Sequence, residues 1–190
     1  MSAEPRLPDP VAVKRWTAGA KGGLALILVV AAALLIGRGL QQFVGYDSLW
    51  TVFIARQNTW AGFWGEVKTN AHPPLYYLLL KASVWLPGTP PLAYRVISIV
   101  AVLVSTLLVA RIVRRITGNQ PLAVAGAAAF GLSFNTIDIG LETRPYALCV
   151  TCMLVAFSAY LDWLGSRAAF VPARKRVMFA GASTAALLNH

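Results

Sequence analysis

Five charged or polar side chains have the chemistry to act on a substrate, in a chain that is otherwise strongly apolar. They are Asp47, His72, Asp138, Glu142 and Arg144. A carboxylate can take a proton from a hydroxyl group, and the planar guanidinium of an arginine can bind two oxygens of one anion. Ordinary structural roles stay open for all five. Asp47 can cap the helix that follows it, and the others can anchor headgroups or form salt bridges.

The composition indicates a membrane protein. Of 190 residues, 57% are hydrophobic and only 13% are charged, whereas soluble domains are nearer one quarter charged. The formal net charge is +10. The basic residues stand in small groups between apolar runs, which is typical of topology signals and argues against nucleic-acid binding.

We predict an all-α, polytopic transmembrane protein with about five spans. The spans lie near 22–40, 92–111, 120–137, 145–162 and from 177 to the end of the chain. Basic residues precede the first run as in a signal peptide, but no cleavage site follows, so we interpret it as an uncleaved span. Residues 1–21 then form a cytoplasmic tail, and 22–190 form the amino-terminal part of one transmembrane domain.

The basic residues also predict the orientation. Eleven of the 17 Lys and Arg residues precede span one, follow span two or separate spans four and five: Arg6, Lys14, Arg15, Lys21, Arg111, Arg114, Arg115, Arg167, Arg174, Lys175 and Arg176. All lie on one side if the amino terminus is inside, and cytoplasmic loops carry such an excess. The other side receives the loop 41–91 and a short turn at 138–144.

The outer loop 41–91 is predicted to lie at the membrane interface. Apolar residues recur there at three- and four-residue spacing, which predicts two short amphipathic helices with aromatic anchors: Trp50, Phe53, Ile54, Trp60, Phe63, Trp64 and Val67. The apolar stretch 74–88 is short for a span and has Lys81 in its middle. A crossing here would also move the basic end of span two outside, so we interpret the stretch as interfacial.

The two cysteines, Cys149 and Cys152, fall inside an apolar run. Their spacing places both thiols on one helix face, with no other cysteine to complete a zinc site. We expect them to pack rather than to bind metal or undergo redox chemistry.

The order of motifs resembles the amino-terminal part of the GT-C membrane glycosyltransferases. The motifs are "YDSLW" after span one, "HPPLYYLLLKA", "AYRVISIVAVLVSTLLVARIVRRITG" and "ETRPYAL" entering span four. The closest group is the bacterial branch related to protein O-mannosyltransferases and to the lipid A aminoarabinose transferase, and the resemblance runs from about residue 40 to the end. Such enzymes have more than five spans. We therefore expect a fragment, a truncated product or part of a longer chain, inactive alone.

The resemblance implies a reaction and roles for the site residues. A sugar would pass from a polyprenyl-phosphate carrier to a lipid, glycan or protein acceptor on the extracytoplasmic face of the bacterial inner membrane. The family's catalytic acid falls on Asp47. Many relatives carry a second acid next to it, where this chain has Ser48, so no paired-acid motif supports a divalent metal, and no cofactor is assigned.

The remaining roles follow from the chemistry of that reaction. Arg144 and His72 would hold the carrier phosphate, with Glu142 and Asp138 as further substrate-binding or salt-bridge residues. The alternative is a transporter or lipid-binding module that uses the same cluster to hold an anionic headgroup without catalysis.

Overall fold

The computed structural model describes residues 15–70, 74–83, 90–164 and 173–187. Within these ranges the chain forms nine α-helices and no strand, which confirms the all-α class. The helices are α1 (Ala18–Gln41), α2 (Tyr46–Ala55), α3 (Trp60–Thr69), α4 (Pro74–Ser83), α5 (Pro90–Thr117), α6 (Gln120–Gly131), α7 (Phe134–Leu141), α8 (Tyr146–Leu164) and α9 (Ala173–Leu187).

Three of these helices are long and apolar enough to cross a membrane. They are α1, the part of α5 from Leu92 to Thr117, and α8, and they correspond in that order to the first, second and fourth predicted spans. The pair α6 and α7 would provide a fourth crossing as one broken span. The fifth predicted span falls on α9, whose apolar stretch, Val177–Ala186, is too short to cross a membrane; residues 188–190 lie outside the described ranges.

The third predicted span differs from the expectation in shape. The chain bends by 53° between α6 and α7, so a straight span over 120–137 is wrong. Ser133 causes the restart, because its hydroxyl accepts a hydrogen bond from the Thr136 amide (3.2 Å) as a helix N-cap does. The predicted turn at 138–144 is also wrong in part: Asp138 lies within α7, and only residues 142–145 connect α7 to α8.

Helix α5 is the centre of the bundle and packs against α1, α4, α6, α7 and α8. Small residues on the neighbouring helices allow these helices to approach α5 closely. A methyl group added at Gly131 would lie 2.7 Å from the Thr106 hydroxyl, and one at Gly140 would lie 3.0 Å from a Val102 methyl of α5 and 2.6 Å from a Leu35 methyl of α1. Toward α8, the Ser105 and Thr151 hydroxyls are 2.9 Å apart. The helix ends at Gly118, whose φ of 69° suits glycine.

The two short amphipathic helices expected in the outer loop are confirmed as α2 and α3. Their apolar residues divide into two sets: Ile54, Phe63 and Val67 are buried, while Trp50 and Trp60 remain exposed. The exposed indoles have the character of interfacial anchors, and the placement of these helices at a membrane surface stays a prediction.

Lys81, the charge that made 74–88 difficult to interpret, has a local structural role. Its ammonium group donates hydrogen bonds to the carbonyls of Gln57 (2.6 Å) and Ala55 (3.3 Å). It also lies over the rings of Trp60 and Phe63, at 5.3 and 5.1 Å. A positive charge at this position stabilises α2, because the carboxyl end of the helix dipole is negative. Helix α4 is only 10 residues long, about 15 Å, roughly half of a bilayer core; residues 84–88 lie outside the described ranges.

The close contact at Gly140 generates a stability prediction. Gly140→Ala should lower the free energy of unfolding by about 1–3 kcal/mol, because the added methyl group overpacks the contact with Leu35 and Val102. Thermal unfolding in detergent, followed by circular dichroism, measures the change. Gly37→Ala is the matched control, since nothing lies within 4 Å of a methyl group there. Equal melting of both variants and the parent would contradict the packing.

Candidate active site

Asp47 lies in the first turn of α2 and forms an ion pair with Arg144. Its Oδ2 is 2.5 Å from Nη2 of Arg144, although 97 positions of sequence separate the two residues. The sequence predicts that both residues lie on the outer side of the membrane, and the structure brings their side chains into contact. The alternative that Asp47 caps α2 is wrong, because the capping position belongs to Gly45. The carboxylate is 73% exposed and the arginine side chain only 15%, so the acid faces open space while the cation is largely enclosed.

The segment that carries Arg144 is fixed through its backbone. Ser48, next to Asp47, accepts a hydrogen bond from the Thr143 amide at 3.2 Å. Ser98 of α5 donates one to the Glu142 carbonyl at 2.8 Å. These bonds hold the connection between α7 and α8 against both α2 and α5. Ser48 therefore joins the two halves of the site through the backbone of Thr143.

Arg95 of α5 holds the same region in place through hydrogen bonds to the backbone. It is 2% exposed, and it donates hydrogen bonds to four backbone carbonyls: Gly39, Gln42 (3.0 Å), Phe43 (3.3 Å) and Leu141 (2.7 Å). These carbonyls lie at or beyond the carboxyl ends of α1 and α7, where the helix dipole is negative. No ion pair involves Arg95 in the described part of the chain. Its positive charge is thus balanced by two helix ends.

Two open cavities meet at the ion pair. The first, about 440 Å³, lies between the end of α1, the start of α2 and the segment 141–146. The second, about 300 Å³, lies between α2 and α4 and includes Asn70 and Tyr77 in its wall. Tyr46, Asp47 and Arg144 line both. The carboxylate and the guanidinium can therefore contact two different molecules, one in each cavity.

Glu142 and Asp138 provide negative charge beside this pair. Glu142 lines the first cavity. Partial burial, the nearby carboxylate of Asp138 and, more weakly, that of Asp47 raise the pKa of Glu142, while Arg144 acts in the opposite direction. Asp138 does not line either cavity, so its effect on the site is electrostatic. Its assignment as a substrate-binding residue stays a prediction.

His72 lies outside the described residues, so its predicted place beside Arg144 stays a prediction. The neighbouring tyrosines are described. Burial raises the pKa of both Tyr76 and Tyr77, which keeps their phenols protonated. The Tyr76 hydroxyl is 3.5 Å from Ser98. The buried Tyr77 hydroxyl has no hydrogen-bond partner among the described residues, which makes it available to a polar ligand in the second cavity.

Sequence reasoning missed Arg95, Ser48 and Tyr77. An arginine four residues into a 26-residue apolar helix was the available signal for Arg95, since a charge inside a span must be paired or functional. Ser48 and Tyr77 gave no such signal, because serine and tyrosine are ordinary residues at a helix start and at an interface. No group of three metal-ligating side chains forms among the described residues.

Comparison with known proteins gives one match. Residues 71–186, more than half of the chain, match the family model described as dolichyl-phosphate-mannose-protein mannosyltransferase. The match includes His72, Asp138, Glu142 and Arg144, and Asp47 precedes it. No curated protein and no solved structure matches the chain.

The raised pKa of Glu142 predicts a pH-dependent effect of Glu142→Gln. Because the folded state holds this proton more tightly than the unfolded chain, the associated stability is present below the unfolded pKa and is lost as the pH rises through the folded pKa. The variant should therefore melt higher than the parent at about pH 7, with a smaller difference at about pH 4. Glu66→Gln is the control. A difference that is constant or larger in acid would contradict the environment described for Glu142.

Proposed function

The chain belongs to the dolichyl-phosphate-mannose-protein mannosyltransferase family, and on that premise we propose that it transfers a sugar from a polyprenyl-phosphate carrier to an acceptor hydroxyl at the Asp47–Arg144 pair. The observation that carries the proposal is the ion pair between an exposed carboxylate and an enclosed guanidinium, at the junction of two cavities. The acceptor is a lipid, a glycan or a protein.

The reaction assigns a different task to each partner of the pair. The acceptor oxygen attacks the anomeric carbon of the sugar, and the bond from that carbon to the phosphate oxygen breaks. Its electron pair leaves with the carrier phosphate. Asp47 takes the proton of the acceptor hydroxyl as general base. Arg144 binds the phosphate oxygens with its planar fork and stabilises the charge that develops there, and His72 donates a further hydrogen bond.

The ion pair also gives Arg144 a counter-charge within the chain. Nη2 of Arg144 lies 2.5 Å from Oδ2 of Asp47. A carrier phosphate competes for the same guanidinium, so its arrival weakens that contact. The carboxylate oxygen released from Arg144 can then accept a hydrogen bond from the acceptor hydroxyl. Binding of the donor thus prepares the base for the second substrate.

An apolar groove offers a place for the carrier chain. It has a volume of about 510 Å³ and lies between α4, α5 and α8. On α5 it begins at Val96, directly after Arg95, and on α8 it includes Leu148, four residues beyond Arg144. An isoprenoid chain in this groove would bury apolar surface and keep its phosphate near the guanidinium.

The charge distribution supports an orientation. Arg111, Arg114 and Arg115 lie on the last turns of α5, and Arg95 lies near its start. Sixteen residues of helix separate Arg95 from Arg111, about 24 Å. Cytoplasmic ends carry the excess of basic residues. We therefore place the amino terminus in the cytoplasm and the Asp47–Arg144 pair at the extracytoplasmic face of the membrane, which we take to be a bacterial inner membrane.

The proposal predicts different kinetic defects for the two partners in the full-length enzyme. Asp47→Asn should lower kcat by roughly 10²–10⁴-fold, the usual contribution of a general base, with carrier binding no weaker than in the parent. Arg144→Ala should weaken carrier binding as well as turnover. Arg144→Lys should restore only part of both, because an ammonium group cannot reproduce the guanidinium fork. Initial rates with a radiolabelled polyprenyl-phosphate sugar, over a range of concentrations, separate kcat from KM.

Matched controls come from the same outer segment. Glu66→Gln and Arg56→Ala remove an acid and a base that line neither cavity, and both should retain the parent's kinetics. Near-parent transfer by a folded, membrane-inserted Asp47→Asn would remove the general-base assignment. Carrier binding without any transfer in the parent enzyme would instead favour a lipid-headgroup-binding module.

A further inference from the structure

We propose a second ligand site, specific for a phosphate group, at the opposite end of the bundle from Asp47. It is a cavity of about 380 Å³ between α1, α5 and α8. Its polar wall consists of Arg111, Arg114, Arg115 and Asp162. No part of the transfer reaction uses these residues, and about 24 Å of helix α5 separates them from Arg95.

The wall of this cavity carries more positive than negative charge. Asp162 forms ion pairs with Arg111 at 2.8 Å and with Arg115 at 3.5 Å. Among the described residues, three guanidinium groups and one carboxylate thus line the cavity, an excess of two positive charges. Such an excess between closely packed helices attracts an anion.

The guanidinium of Arg114 packs against the ring of Trp16. Its guanidinium carbon lies 4.0 Å from the centre of the Trp16 ring, a cation–π contact that restrains the group. Nε and Nη1 of Arg114 are buried and have no hydrogen-bond acceptor among the described residues. A guanidinium in this condition is costly without a counter-ion. An anion in the cavity that Arg114 lines would offset that cost.

The rest of the wall indicates what kind of anion fits. Arginine forks bind phosphate oxygens in pairs. Leu24, Leu107 and Trp16 supply apolar surface in the same cavity, which suits the glycerol and the first carbons of an acyl chain. Basic pockets between transmembrane helices are known binding places for anionic lipid headgroups. The recognised chemistry is thus a phosphate group, carried by a phospholipid or free in solution.

Equilibrium binding of a fluorescent phosphatidylglycerol to the full chain in neutral detergent, followed by anisotropy, tests the site. Arg114→Gln should weaken binding by at least about tenfold, the effect of losing a hydrogen-bonded charged partner. Asp162→Asn should strengthen binding, because it removes the carboxylate that competes for Arg111 and Arg115. A general folding defect cannot produce this gain. Arg38→Gln, the same change on α1 outside this cavity, should leave the affinity unchanged.

Competition distinguishes the two sources of phosphate. Displacement of the probe by inorganic phosphate supports a site for the phosphate group itself, whereas displacement by phosphatidylglycerol but not by phosphate supports a headgroup site that also needs the acyl chain. Phosphatidylcholine, which has no net charge, should compete weakly. Equal affinity of the parent, Arg114→Gln and Asp162→Asn would overturn the proposal, as would an equal loss in Arg114→Gln and Arg38→Gln.

Discussion

The structure depends on one buried guanidinium. Arg95 is almost completely enclosed, and a buried charge is expensive unless every donor finds an acceptor. Here the acceptors are carbonyls from the end of α1, the residues that follow it and the end of α7. Carbonyls at helix ends have no partner within their own helix. The carbonyls at the ends of α1 and α7 and the guanidinium of Arg95 thus stabilise one another.

That arrangement determines where the reactive groups can lie. The carbonyls of Gln42 and Phe43 fix the chain just before α2, which carries Asp47, and the carbonyl of Leu141 fixes the chain just before Arg144. Ser48 and Ser98 complete the junction through the backbone of residues 142 and 143. The two ends of the bundle also differ in kind. At one end an acid and a cation meet beside two cavities, and at the other Asp162 pairs with Arg111 and Arg115, while Arg114 has no ion pair among the described residues.

The sequence alone predicted the parts of the site that depend on charge and periodicity. The helical class, the two short outer helices and the meeting of Asp47 with Arg144 could be inferred, because apolar periodicity and the distribution of basic residues restrict the topology strongly. The bend at Ser133 could not, since a serine inside an apolar run is also compatible with a continuous helix. Lys81 and Arg95 donate hydrogen bonds to backbone carbonyls that are distant in sequence. The pattern of side chains does not indicate which carbonyls these are.

Spin labels across the first cavity test most directly whether Arg95 assembles the site. Tyr46 and Tyr146 both line that cavity and are exposed, so cysteines at these positions can carry the labels once Cys149 and Cys152 are replaced by alanine. The account predicts strong dipolar broadening of the spectrum in this background and its loss in Arg95→Met, with helix content retained. Arg38→Met should keep the broadening. Broadening that survives Arg95→Met unchanged would contradict the claim that this guanidinium holds the two halves of the site together.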